Sequence, residues 1–169
     1  RPFSKKIVNE VAKTMAWYKM NDLQLHLNDN YIFLEDYTTA GEDPMTAYEG
    51  FRLESDNQSR WKILNKADLT SDDMYWTKDE MRQMIQDYRE IGMDIVPEFD
   101  TPAHSLAFTK VRPDLKMGGN GRENDHFNLA TPSGGDASET PYAKSLEFVE
   151  GLWDEYLEGE NPVFDEETI

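Results

Sequence analysis

The chain has 169 residues, long enough for one domain with a sizeable core, and its 38% hydrophobic and 12% aromatic content excludes a disordered polypeptide. Thirty-four acidic against 17 basic residues leave a formal charge of −17, a surface that repels nucleic acid and anionic membranes but not a neutral ligand such as a carbohydrate. The absence of cysteine excludes disulfides and thiolate metal sites, and no run approaches the roughly 20 apolar residues of a membrane-spanning helix.

Ser4 is placed to cap a first helix running to about Met20. Ile7, Val8, Val11, Met15 and Tyr18 recur at helical spacing as its buried face. Asn21 suits the left-handed residue that ends such a helix. A strand from Leu23 to Leu27 follows, its leucines alternating with Gln24, His26 and Asn28. Residues 30–76 read as a long aromatic and acidic excursion without strong periodicity, carrying Tyr31, Phe33, Tyr37, Tyr48, Phe51, Trp61, Tyr75 and Trp76. Such rings stack on sugars, but more often they pin a loop to its own scaffold, and pinning is the expectation for most of these.

Thr77-Lys78-Asp79-Glu80 is a capping box opening a second helix, with Met81, Met84, Ile85 and Tyr88 on one face and Gly92 at its end. A strand from Met93 to Phe99 follows. Residues 101 to about 138 read as a second long loop. Thr140 then caps a third helix with Pro141 at its first position, and Phe148, Leu152, Trp153 and Tyr156 supply its core face. Gly159 closes it, and Val163 and Phe164 read as the approach to a further strand. Helix alternating with strand implies an α/β fold with parallel strands and crossover helices. A full eight-fold barrel takes about 250 residues, so the expectation is the front part of a TIM-type (β/α)8 barrel, one partial catalytic domain over 1–169. The chain opens on Arg1-Pro2-Phe3, with neither methionine nor signal peptide, and reads as a piece of a longer polypeptide.

Chemistry concentrates at two strand ends. The segment from Met93 to His104 runs from an apolar strand into Glu98, Asp100, two prolines and His104, and the strand before it ends in His26, Asn28 and Asp29. Taken singly, a histidine or carboxylate at a strand end is more often a loop cap than a catalyst. Two such ends together point to one shared pocket at the carboxyl edge of a parallel sheet.

Arg1-Pro2-Phe3, the run MAWYKMNDLQLHLNDN from Met15 to Asn30, and Ile95-Val-Pro-Glu-Phe-Asp-Thr-Pro-Ala-His-Ser105 together resemble glycoside hydrolase family 20, the β-N-acetylhexosaminidases and lacto-N-biosidases. Phe51 to Ser55 and the Asn124-Asp125-His126 run are closest to the lacto-N-biosidase-like branch. The resemblance implies a retaining, substrate-assisted glycosidase that removes N-acetylhexosamine or lacto-N-biose from the non-reducing end of glycans. In such an enzyme the 2-acetamido oxygen attacks the anomeric carbon in place of an enzyme carboxylate. By the same resemblance Asp29 and His104 form a relay behind a catalytic glutamate, and Arg1, Glu98 and Asp100 bind the sugar. No metal and no cofactor is expected, and the parent protein is expected to be secreted or held at a bacterial cell surface.

Ala103 stands where the family has glycine, so its backbone should avoid positive φ. The family's catalytic Asp-Glu pair follows a histidine-glycine strand. The three Asp-Glu pairs here, at 79–80, 154–155 and 165–166, do not, so that pair is expected beyond Ile169 and the isolated chain is expected to be inactive. Two rivals differ in class. One is a metal-dependent barrel hydrolase using His26, Asp29, Glu98, Asp100 and His104. The other is a non-catalytic carbohydrate-binding fragment.

Overall fold

The computed structural model describes residues 2–55, 69–119, 121–132, 134, 136–166 and 168, so Arg1 and Trp61 lie outside the described residues. Helix α1, Lys5–Trp17, is capped by Ser4, whose hydroxyl accepts from the Ile7 N–H. It stops three residues short of the expected end, because Lys19 rather than Asn21 takes the left-handed conformation (φ 60°). The Asn21 carbonyl instead accepts the Asp94 N–H at 2.6 Å and so joins the starts of two strands. The expected buried face of α1 is also corrected: Ala12 is fully buried and Val8 and Met15 pack on the core, while Ile7, Val11 and Tyr18 are exposed.

Strand β1, Asp22–His26, pairs in parallel with a strand 72 residues later, in a register that sets Leu25 opposite Pro97 and His26 opposite Glu98. Leu27 links β1 to β2, Asn28–Asn30, which turns away and pairs antiparallel with β3, Glu49–Phe51. Helix α2, Leu34–Ala40, lies between β2 and β3. The excursion read from the sequence as irregular thus holds a hairpin-like pair and a short helix. Some of its aromatic rings do pin it: Phe51 and Trp76 are buried and Tyr37 packs on Leu34, whereas Tyr31, Phe33 and Tyr48 are exposed.

Helix α3, Lys78–Arg89, carries the complete capping box, with reciprocal bonds between Thr77 and Glu80, and buries Met81, Met84, Ile85 and Tyr88. Gly92, at φ +76°, makes the turn that an L side chain resists, and β4, Asp94–Glu98, follows. The 101–138 stretch is not all loop. Helix α4, Leu106–Val111, is almost wholly buried there, followed by short 3-10 turns. Helix α5, Pro141–Leu157, starts on Thr140 as expected. Val163 and Phe164 form no strand. Both are buried against the core, and their N–H groups donate to the Tyr156 carbonyl at 2.8 and 3.0 Å, which folds the chain back on α5. The alternation of helix and parallel strand is therefore α/β, and among the described residues no helix is long and apolar enough to cross a membrane.

The core is built around Phe99, the residue between Glu98 and Asp100. Its ring lies 4.6 Å from Trp153, 5.3 Å from Phe51 and 5.4 Å from Tyr156, centroid to centroid. The pleat sends Phe99 into the core while its neighbours point to the strand ends, so core packing aims the polar residues. Phe99→Ala is expected to lower unfolding free energy by about 3–5 kcal/mol in urea denaturation, and a loss below about 1 kcal/mol would contradict this place in the core.

Candidate active site

Parallel register puts His26 beside Glu98, and the kink from β1 into β2 brings Asp29 round to the same histidine. His26 Nδ1 lies 2.9 Å from Glu98 Oε1 and His26 Nε2 lies 3.2 Å from Asp29 Oδ2. The other oxygen of Asp29 takes His104 Nδ1 at 2.9 Å and the Asn30 N–H at 2.7 Å. Glu98, His26, Asp29 and His104 thus alternate acid and base in one chain of contacts, and Gln24 donates to the remaining Glu98 oxygen.

Asn28 ties the two strand ends together. Its amide oxygen accepts the Asp100 N–H at 2.7 Å, and its amide nitrogen donates to the carbonyls of Asp100 and His104 at 2.9 and 3.1 Å. Asn28 is 1% exposed, so these bonds are made out of competition with water. They hold His104 at φ 55°, a left-handed conformation that costs a non-glycine residue about 1 kcal/mol or more and persists only where its surroundings over-determine it. Ala103 has no positive φ, as its methyl requires.

The charges follow from the contacts. Burial works against a charged carboxyl at Asp29, but the Asn30 N–H and the two histidines outweigh it and hold the pKa below the usual carboxylate value. Glu98 is likewise held low, first by its bond to His26. Burial also disfavours a charged His26, yet Glu98 and Asp29 prevail and raise its pKa. An ionised carboxylate only accepts hydrogen bonds, so His26 donates from Nδ1 to Glu98, and the two flanking carboxylates favour the protonated ring. By the same reasoning His104 donates from Nδ1 to Asp29 and keeps Nε2 for another partner.

Of the five site residues expected from the sequence, Asp29, Glu98, Asp100 and His104 come together here, and Arg1 lies outside the described residues. Asp100 contributes through its backbone, while its carboxylate stands with His26 and Glu98 in a group whose offered atoms lie within 4.8 Å of one another. Those three could ligate a divalent ion, but only by breaking a His26 contact, since both ring nitrogens already meet carboxylates. Sequence reasoning named His26 and Asn28 as strand-tip residues without giving them these roles, and it missed Gln24 and Asn30. The alternation read from the sequence already set Gln24 on the same face of β1 as His26, without assigning it a partner.

A groove of about 1090 Å³ adjoins these residues, lined by Phe3, by the α1 side chains Ile7 and Val11, and by every residue from Leu23 to Phe33. Consecutive residues line it, so it follows the strand edge rather than one face. Arg52 and Asp73, paired with each other and with the Tyr48 hydroxyl, also line it.

Titration of this network has a definite sign. The raised pKa of His26 gives stability fully present below its ordinary 6.5 and lost as pH rises through the raised value. The lowered pKa values of Asp29 and Glu98 give stability present above 3.8 and 4.5 and lost as pH falls through the lowered values. Melting temperature should therefore decline on the alkaline side of pH 6.5 in the native protein, and His26→Gln should flatten that limb. An identical limb in both proteins would contradict a raised pKa at His26.

A model of the glycosyl hydrolase family 20 catalytic domain matches residues 1–164. The β-hexosaminidase subunit beta of Homo sapiens is 28% identical over 130 residues, and a β-hexosaminidase of Akkermansia muciniphila is 30% identical over 101 residues; the matches cover 76% and 60% of this chain. The matches take in only 20% and 18% of those two proteins. Among solved structures, an exo-β-N-acetylglucosaminidase from Vibrio harveyi in complex with N-acetylglucosamine superposes with a TM-score of 0.56 at 20% identity, over 90% of this chain and 23% of that one. A β-N-acetylhexosaminidase from Bacteroides fragilis gives 0.55 at 16% identity over 90% and 26%. These structural likenesses bear on the fold, and the match over 1–164 bears on descent: the chain belongs to glycosyl hydrolase family 20.

Proposed function

We propose that these residues are the front part of a (β/α)8 barrel in a retaining exo-glycosidase that removes a terminal N-acetylhexosamine, or lacto-N-biose, from glycans. The observation that carries the reading is the 2.9 Å contact between Asp29 and His104, joined through Asp29 to the His26–Glu98 pair at two strand ends. An ionised Asp29 fixes the His104 tautomer and leaves Nε2 to meet an acid. The acid's proton would go to the departing glycosidic oxygen as the substrate's 2-acetamido oxygen attacks the anomeric carbon. Arg1, whose guanidinium fork suits neighbouring hydroxyls, would hold the sugar with Glu98 and Asp100. The named relatives support the substrate class, being β-hexosaminidases.

We place the catalytic glutamate outside these 169 residues because none of their Asp-Glu pairs follows a histidine-glycine strand, and Glu80, Glu155 and Asp165 are engaged elsewhere. Glu80 is spent in the capping box and on Lys5. Glu155 is buried against Lys78 at 2.9 Å and Ser55 at 2.8 Å. Asp165, next to Glu166, is clasped by Arg89 at 2.6 and 2.8 Å. The barrel reading draws on the sheet itself: among the described residues β1 pairs only with β4, so its other edge and the apolar groove along it stand ready for further strands.

The full-length protein is expected to hydrolyse an aryl N-acetyl-β-glucosaminide and to leave the matching β-glucoside, which has no acetamido group, uncleaved. Equal cleavage of both would overturn substrate assistance, binding without turnover would favour the carbohydrate-binding alternative, and activity abolished by chelators would favour a metal-dependent hydrolase. Asp29→Asn and His104→Gln are each expected to lower kcat by about 10- to 100-fold, part of the 10²–10⁴ that acid–base catalysis supplies. The 169-residue chain alone should show no turnover, and robust hydrolysis by it would contradict an acid supplied from elsewhere.

A further inference from the structure

Asp125 is 3% exposed and sits in a 3-10 turn, Arg122–Asp125, remote in sequence from both strand ends. Its carboxyl oxygen Oδ2 accepts the side-chain N–H of Asn30 at 2.8 Å, a contact buried on both sides. Its backbone carbonyl accepts the Ser105 N–H at 2.9 Å. Asn30 follows Asp29 and Ser105 follows His104, so one residue grips the chain immediately after each member of the pair. The Asn30 side-chain oxygen accepts the Leu106 N–H at 3.2 Å, which closes a ring of bonds through Asp125, Asn30, Leu106 and Ser105.

The turn itself is anchored. The Thr109 hydroxyl donates to the Asn124 carbonyl at 2.7 Å, Lys116 donates to the Asn124 side chain at 3.0 Å, and that side chain donates to the Gly121 carbonyl at 2.7 Å. The other carboxyl oxygen of Asp125 lies 2.5 Å from Nδ1 of His126, which itself bonds the Arg122 carbonyl, and this oxygen makes no hydrogen bond of good geometry among the described residues. A buried carboxyl group held with one oxygen poorly satisfied is costly to keep. Ser105 gives α4 no side-chain cap, and the Asn30 oxygen takes the Leu106 N–H in its place, so Asp125 braces the residue that both follows Asp29 and caps the helix after His104.

We propose that Asp125 is a positioning residue for the Asp29–His104 pair. It acts through Asn30 on one side and Ser105 on the other, and keeps the histidine ring at bonding distance from the carboxylate despite the positive φ at His104. The inference deepens the hydrolase reading and rests on it for its kinetic arm only.

The test uses the full-length protein with Asp125→Ala and Asp125→Asn, the second of which keeps an acceptor oxygen toward Asn30. Hydrolysis of an aryl N-acetyl-β-glucosaminide is measured alongside the ¹⁵N spectrum of the His104 ring, which reports which nitrogen carries the hydrogen. Displacement of a reacting group by a distant substitution costs as much as about 10²-fold, so Asp125→Ala should lose about 10- to 100-fold in kcat with KM within about twofold. It should also lose the single Nδ1–H tautomer of His104, and Asp125→Asn should recover both. Wild-type kcat and ring signals in a folded Asp125→Ala protein would overturn the proposal, as would an Asp125→Asn protein equally impaired in both. If Asp125→Ala does not fold, Asn30→Ser cuts the same link from the other side and carries the same expectations. A wild-type protein without hydrolase activity would sink the functional reading alone, because the ring spectrum still decides the role of Asp125.

Discussion

Everything at the candidate site depends on one register. Asp22 to His26 lie opposite Asp94 to Glu98 in parallel, and a shift by a single residue would turn His26 away from Glu98 and send Phe99 out of the core. The apolar positions enforce that register. Leu25, Ile95 and Phe99 are buried among α3 and α5 side chains, so the core selects the alignment that also pairs the polar tips. Fold stability and site geometry are therefore the same alignment seen on two faces of one short sheet.

Beyond the strand ends the site is held mainly by buried amides, with the Asp125 carboxyl behind Asn30 as the exception. Asn28, Asn30 and the backbone of 100–106 form a buried lattice that places two histidines and two carboxylates at its open side. The division suits the physics: neutral amides are cheap to bury when fully bonded, while ionised groups belong where water still reaches them. It also explains how His104 tolerates a left-handed backbone. Bonds to its own carbonyl and to the two residues after it leave no relaxed alternative.

Long-period features were legible in the sequence. The capping box at Thr77, the apolar stripe of α3 and the Thr140-Pro141 start of α5 are local signals that tertiary structure had no reason to override. The short elements were not legible. Helices α2 and α4 have seven and six residues, begin without a side-chain cap, and owe their existence to burial of Leu34 and Leu106 rather than to periodicity. Helix α1 misled in the opposite direction, since its stripe implies a partner for Ile7 and Val11 that the described residues do not provide. The strand tips were visible as alternation giving way to titratable residues. The pairing of Asp29 with His104 came only from the family resemblance, because 75 residues separate them and no spacing rule joins them. The bracing by Asn30 and Asp125, 95 residues apart, left no trace that a single sequence could disclose.

The central claim is that Asp29 and His104 act as one unit. A double-mutant cycle on hydrolysis by the full-length protein, with Asp29→Asn, His104→Gln and the pair combined, measures this directly. The expected result is strong non-additivity, with the double variant scarcely slower than the worse single variant. Losses that multiply would show two independent groups and contradict the relay.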